Sequence, residues 1–149
     1  MFSCPLAALR LSPTGGVRVL NLGHPPALLR RADGTLERFA AQAPPLGTFP
    51  IEDLAGVPVW LHPGDQLLLY SDGLSEAERG DGAAETQLGL DAVQQLAHAA
   101  TTPRRFITGA LQALHGYRVM DDLTLLAVQR DPAQRSVTLT LPGSLDVLP

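Results

Sequence analysis

The feature that most constrains this chain is a pair of apolar strands, each tied to a carboxylate. One is Leu67-Leu68-Leu69-Tyr70, which runs into Ser71-Asp72-Gly73-Leu74. The other is Leu123-Thr124-Leu125-Leu126-Ala127-Val128, which follows Met120-Asp121-Asp122. In the first a carboxylate leaves the end of a strand; in the second a carboxylate enters the start of one. If the strands are antiparallel neighbours, Asp72 and Asp121 meet at the same edge of a sheet. Carboxylates held together repel unless a proton or a cation lies between them. An oxygen-only pair suits a hard divalent ion such as Mg²⁺ or Mn²⁺. The pattern therefore points to metal-assisted chemistry on a phosphate.

The rest of the chain supplies a sheet around those strands. Residues 2–11 read as a strand with Gly15-Gly16 as its turn, and Val17, Val19 and Asn21 continue into a second. Asp33-Gly34 between 27–31 and 35–39 is a hairpin signal. Residues 40–56, rich in Pro and Gly, form a connecting loop. Val57, Val59 and Leu61 alternate as a strand, and Pro63-Gly64-Asp65 is a turn. The polar stretch 78–86 reads as an exposed loop. Val93, Leu96, Ala97 and Ala100 fall at helical spacing, as do Phe106, Ile107, Ala110, Leu111 and Leu114. Thr102-Pro103 is a cap with a first-turn proline, and Gly116 a stop. Hairpins without βαβ alternation define an α+β class with mainly antiparallel sheets. After Asp131-Pro132 the alternation at Val137, Leu139 and Leu141 reads as an extra edge strand or the start of a truncated following domain.

Composition narrows the function. The 149 residues suit one domain, and 45% hydrophobic with 17% charged residues is enough for a packed core. A net charge of −4 argues against a general nucleic-acid binder. All 11 basic residues are Arg, so no Schiff-base or P-loop lysine operates within the chain. Cys4 is the single cysteine; no internal disulfide or multi-Cys zinc site forms, and a reducing cytoplasm is the expected setting. No apolar run approaches the ~18 residues needed to cross a bilayer, and a start broken by Pro5 and without a basic leader does not read as a signal peptide.

Four motifs, in order across residues 1–130, resemble the PPM (PP2C-like) serine/threonine phosphatases, closest to their bacterial SpoIIE/RsbU branch. Asn21-Leu22-Gly23-His24-Pro25-Pro26 resembles the branch's Asn-Ala-Gly-His-Pro-Pro hairpin, with Leu22 in place of the usual Ala. Pro45-Leu46-Gly47 resembles its Pro-Leu-Gly loop. Leu61 to Ala77 follows its most recognisable stretch almost residue by residue, and Asp121-Asp122-Leu123-Thr124 resembles the closing Asp-Asp/Asn-x-Thr motif. The resemblance implies part of an αββα sandwich. It implies a two-metal Mn²⁺ or Mg²⁺ site with Asp72 and Asp121 among the ligands, and a metal-activated water as nucleophile. No catalytic residue beyond the metal ligands is implied. Gly73 would give the backbone room to turn beside the metal, and Asp122 is a second layer or turn residue. The family's Gly-Asp-x-x-Asp strand and Asp-x-x-Gly-His-Gly helix have no match here, so the chain resembles the C-terminal portion of the domain and its metal shell is incomplete. The implied partners are a phosphoprotein substrate, by analogy an anti-sigma-factor antagonist, and either the missing N-terminal half or a self-associating copy. Neither nucleic acid nor membrane is expected.

Other residues have plainer readings. A helix cap at Asp72 and a strand-entry turn at Asp121 compete with ligation. Glu76, one turn beyond Asp72, reads as an exposed or structural acid. Gly23-His24-Pro25-Pro26 reads as a rigid turn, not as a general acid. His62, His98 and His115 are scattered and solvent-facing, Cys4 is a buried inert thiol in a core strand, and Arg30, Arg31 and Arg38 lie on a solvated strand face. Two rival functions remain. One is a non-catalytic remnant or interaction module of the same fold. The other is a receiver or haloacid-dehalogenase-type phosphotransfer domain, against which stands Asp121-Asp122 preceding its strand.

Overall fold

The computed structural model describes residues 3–48, 50, 54–80 and 86–131, with the backbone of 137–140. Among the described residues, ten strands and three helices follow in order: β1 (Leu6–Leu11), β2 (Gly16–Leu22), β3 (Ala27–Arg30), β4 (Leu36–Phe39), β5 (Val57–Trp60), β6 (Gln66–Tyr70), α1 (Asp72–Ser75), β7 (Glu78–Arg79), β8 (Thr86–Gln87), α2 (Gly89–Ala99), α3 (Pro103–Ala113), β9 (Leu125–Arg130) and β10 (Val137–Thr140). A three-stranded sheet has the order β1-β2-β5 and a five-stranded sheet the order β10-β9-β6-β3-β4, with β7 and β8 as a separate ribbon. Every named pairing is antiparallel. The α+β antiparallel class expected from the hairpin pattern is the one found.

Side-chain alternation explains the layering. On β6, Leu67 and Leu69 face the three-stranded sheet, where they join Val17, Val19, Ala27, Leu29, Leu61 and Val128. Leu68 and Tyr70 face the other way, into a second core with Leu74, Val93, Ala97, Phe106, Ile107, Ala110 and Leu125 from the helices and β9. The five-stranded sheet is thus buried on both faces, which is why β3 and β6 are buried along their whole length. Each fully buried Leu or Phe contributes about 1.5–3 kcal/mol by leaving water. α3 begins as expected: the Thr102 side chain accepts from the Arg105 amide at 3.2 Å and Pro103 opens the first turn.

Several expectations need correction. The first strand starts at Leu6 rather than residue 2, and residues 1–2 lie outside those described. Cys4 is exposed, because it sits ahead of β1 in an isolated bridge to Leu46. The polar stretch 78–86 is not only loop: Glu78 and Arg79 pair with Gln87 and Thr86, while 81–85 lie outside the described residues. Arg30 is buried, not solvated. It lies on the helix side of β3, where its Nε donates to the His98 carbonyl at 2.9 Å beside the end of α2. His62, His98 and His115 are exposed, as expected. Val137–Thr140 pairs antiparallel with β9 at one edge of the large sheet.

Candidate functional site

β6 and β9 are neighbours, with Tyr70 opposite Leu125. Their junction continues one step past both strands. The Ser71 amide donates to the Thr124 carbonyl at 2.9 Å. The Ser71 hydroxyl donates to the Asp122 carbonyl at 2.7 Å and accepts from the Thr124 amide at 2.8 Å. The chain then enters the one-turn helix α1, which is held in place by buried Leu74 and Ser75. Ser71, not Asp72, occupies the cap position, and no side chain caps the turn.

Gly73 shows why the two acidic segments can be this close. A Cβ there would lie 2.6 Å from the Asp122 carbonyl oxygen and 3.0 Å from that of Asp121. Glycine is needed for close backbone approach; no left-handed φ is involved, since Gly73 is absent from the positive-φ positions. Asp72 therefore emerges immediately beside the Asp121–Asp122 backbone, at one end of the large sheet. Asp72 is half-buried, whereas Asp121 and Asp122 are exposed. One carboxylate oxygen of Asp121 accepts from the Asp122 amide at 2.7 Å, a turn-forming bond. The donor type suits Mg²⁺ or Mn²⁺. The donor number does not suffice, for among the described residues no group of three or more His, Cys, Asp or Glu could hold a metal ion.

A cleft of about 420 Å³ opens beside Asp72, lined also by Gly23–Pro26, Ser75, Glu76, Gln87, Gly89 and Leu90. The Asn21–Pro26 turn that forms its wall is built from inside. Asn21 is fully buried; its Oδ1 accepts from the His24 amide at 2.9 Å and its Nδ2 donates to the Pro25 carbonyl at 3.1 Å. Gly23 takes a left-handed φ of 65°, and a Cβ there would run into the Pro45 ring. The Asn-Leu-Gly-His and Pro-Leu-Gly motifs are thus in contact. The sequence places Asn21 at the end of a strand and at the head of the Asn-Leu-Gly-His-Pro-Pro motif; its role as the buried amide that holds the turn is what the structure adds.

A further acidic residue, expected only as part of the Pro63-Gly64-Asp65 turn, is built into the scaffold. Asp65, at the opposite end of β6, is 2% exposed. Its carboxylate accepts from the His62 amide at 2.9 Å, the Ala32 amide at 2.9 Å and Arg31 Nη1 at 2.8 Å. Burial alone would raise its pKa, but these bonds outweigh that and hold the carboxyl below its ordinary value. Arg31 also pairs with Glu37 at 2.6 Å, the main reason its guanidinium is shifted up. Asp65 ties the β3–β4 hairpin to the turn before β6 and faces no part of the cleft beside Asp72.

Two stacked antiparallel sheets, helices on the outer face of one of them, and paired acidic segments at a sheet end define the PP2C-like phosphatase fold. The chain belongs to the SpoIIE family, whose model, stage II sporulation protein E, matches residues 1–131. No curated protein matches it. Among solved structures, the RsbU and RsbW domains of Rv1364c from Mycobacterium tuberculosis are similar at 30% identity and a TM-score of 0.61, over 79% of this chain and 33% of that one. The phosphatase domain of the cell fate determinant SpoIIE from Bacillus subtilis matches at 17% identity and a TM-score of 0.60, over 87% of this chain and 60% of that one. The SiaA-PP2C domain of Pseudomonas aeruginosa matches at 14% identity and a TM-score of 0.64, over 79% and 48% respectively. The last two are likenesses of fold alone. The chain spans between a third and 60% of the length of these structures. Among the described residues no helix is long and apolar enough to cross a membrane.

Proposed function

We propose that residues 1–130 are the C-terminal portion of a metal-dependent protein serine/threonine phosphatase domain, a cytoplasmic hydrolase acting on a phosphorylated regulatory protein such as an anti-sigma-factor antagonist. Residues 131–149 lie beyond that unit, as an edge strand or the start of a further domain. The observation that carries the reading is the approach of Gly73 to the Asp121–Asp122 backbone, with Ser71 bonded to both Asp122 and Thr124. That junction supports Asp72 and Asp121 as two ligands of Mn²⁺ or Mg²⁺, with Gly73 admitting the second segment and Asp122 fixing its turn.

Such ions supply an acidified water and neutralise charge building on the phosphoryl oxygens. The chain's own residues do the rest. Asp72 and Asp121 hold cation charge at the sheet end, Ser71 fixes their spacing, and the neighbouring cleft receives the substrate. Two carboxylates cannot fix a two-metal geometry, so an active site needs further ligands, from an N-terminal half of the domain or from a second copy of this chain. A surface ready for that half, or for a second copy of this chain, is the outer side of the three-stranded sheet. There Trp60 is 49% exposed on the same face as Arg10 and Arg18.

The test compares the 149-residue chain with a longer protein in which a Gly-Asp-x-x-Asp segment of the family precedes it, on a phosphoserine peptide with Mn²⁺. Turnover is expected only from the longer protein, and it should be lost in Asp72→Asn and Asp121→Asn. Light scattering should show the short chain self-associating. Full turnover by both variants would overturn the metal assignment. No turnover by either length would leave the interaction-module reading instead.

A further inference from the structure

We propose that the cleft beside Asp72 seats the peptide flanking the phosphorylated residue, with His24 as a positioning residue and Glu76 selecting against acidic flanks. This deepens the phosphatase reading and rests on it.

His24 is the polar group that the turn presents rigidly. Its backbone is pinned by buried Asn21, and its ring Nδ1 lies 3.2 Å from the Pro25 carbonyl. A carbonyl can only accept, so this bond places the proton on Nδ1. Nε2 is left without a partner among the described residues, on a side chain lining the cleft. In that tautomer Nε2 accepts hydrogen bonds. The neutral ring in that tautomer matches a backbone N–H of bound polypeptide. Because the turn is already fixed, little ordering is needed when the bond forms.

The remaining walls define the peptide. Pro25, Pro26 and Leu90 are apolar, and Leu90 is 40% exposed at the first turn of α2. That is a seat for an aliphatic side chain next to the phosphorylated residue. Both charged residues lining the cleft are acidic, Asp72 and Glu76. A cation held by Asp72 would neutralise the first. Glu76, exposed and in no ion pair among the described residues, keeps its field across the opening. A neutral or basic flank is favoured there and an acidic one repelled.

The experiment uses the longer protein described above with Mn²⁺, phosphoserine peptides flanked by Ala, Lys or Glu, and p-nitrophenyl phosphate, which has no flank. His24→Ala should lower the ratio of peptide to p-nitrophenyl phosphate kcat/KM about tenfold, mainly through KM, the size of one hydrogen bond. His24→Gln, whose amide oxygen reaches a similar place, should recover most of it. Glu76→Lys should shift the Lys-over-Glu flank preference about tenfold toward Glu. In the metal-free protein labelled with ¹⁵N-histidine, the Ala-flanked peptide should move the His24 Nε2 resonance. Equal loss on both substrates in His24→Ala, with an unmoved ring signal and unchanged flank preference in Glu76→Lys, would overturn the assignment while leaving the phosphatase reading in place. A wild type that hydrolyses neither substrate removes that reading and this one together.

Discussion

Asp65 precedes β6 and Asp72 follows it, so one five-residue strand carries a carboxylate at each end. The two are treated oppositely. Asp65 is buried, accepts from two backbone amides and an arginine, and joins two turns. Asp72 is half-buried, has no cationic partner among the described residues, and opens on a cleft. Burial of a carboxylate demands partners, so a fully partnered acid belongs to the scaffold. An acid left without a counter-charge beside another acidic segment is available for a ligand. The difference teaches that neither residue type nor strand position distinguishes the roles; the completeness of the hydrogen-bonding shell does.

The sharpest way to break that comparison is to remove each charge separately. Asp72→Asn should cut phosphatase turnover of the longer protein at least about a hundredfold, since metal charge stabilisation is worth several kcal/mol and each 1.36 kcal/mol is tenfold. Its melting temperature should move by no more than about 2 °C, as for a surface change. Asp65→Ala should do the reverse. Losing a buried, charge-assisted set of bonds costs about 2–4 kcal/mol, a fall in Tm of roughly 5–12 °C, with turnover per folded molecule retained. Calorimetry with activity measured below both transitions separates the two. A stable Asp65→Ala, or a melted Asp72→Asn, would erase the distinction.

Acid sharpens it further. The folded pKa of Asp65 lies below its ordinary 3.8, so its stabilisation is complete above the unfolded value. It drains away as pH falls through the folded one. The stability gap between wild type and Asp65→Asn should therefore be constant near neutrality and narrow below about pH 4. Denaturant melts at successive pH values measure it; a gap that widens in acid contradicts the sign.

How much of this was legible follows from range. The Asp33-Gly34 hairpin, the apolar strands and the Thr102-Pro103 helix start are written in neighbouring residues, and all are found. So is the meeting of the Asp72 and Asp121 segments, because β6 and β9 pair antiparallel with their acidic ends together. Asp65 read only as a turn residue because its partners, Arg31, Ala32 and His62, include two that come from another hairpin. A usable signal was present: a carboxylate abutting a strand buried on both faces, with Arg30-Arg31 nearby to pair it. Arg30 was misplaced for the same reason, since its partner is the end of a helix 68 positions on. Glu78 and Arg79 have no apolar alternation, so their pairing left no trace in the pattern. The reason for Gly73 lay in the backbone of residues 121–122, which no local reading reaches.

That backbone contact gives the next effect in size. Gly73→Ala places a methyl 2.6 Å from the Asp122 carbonyl oxygen, where a backbone atom cannot turn aside cheaply. The Asp121–Asp122 segment must move outward, at about 1–3 kcal/mol. The variant should lose more Mn²⁺ affinity than stability, because displacement separates the two carboxylates while leaving both cores intact. Calorimetric titration of Mn²⁺ beside a thermal melt reads both. Equal wild-type affinity would show that the spacing is not what matters.

The smallest effect isolates the bond that sets this spacing. Ser71→Ala removes a hydroxyl that donates to the Asp122 carbonyl and accepts from the Thr124 amide. The site is exposed, so water replaces both partners and the cost should be near 1 kcal/mol. The backbone bond from Ser71 to Thr124 survives, so β6 and β9 stay in register and the fold is unchanged. What the hydroxyl adds is the position of Asp122 relative to α1. Metal affinity should fall a few-fold, as when an outer hydrogen bond to a ligating segment is lost, and Ser71→Thr should restore it. If Ser71→Ala instead costs stability with no change in Mn²⁺ affinity, the hydroxyl is a strand-end clasp like the bonds around Asp65. The two ends of β6 would then be built on the same principle after all.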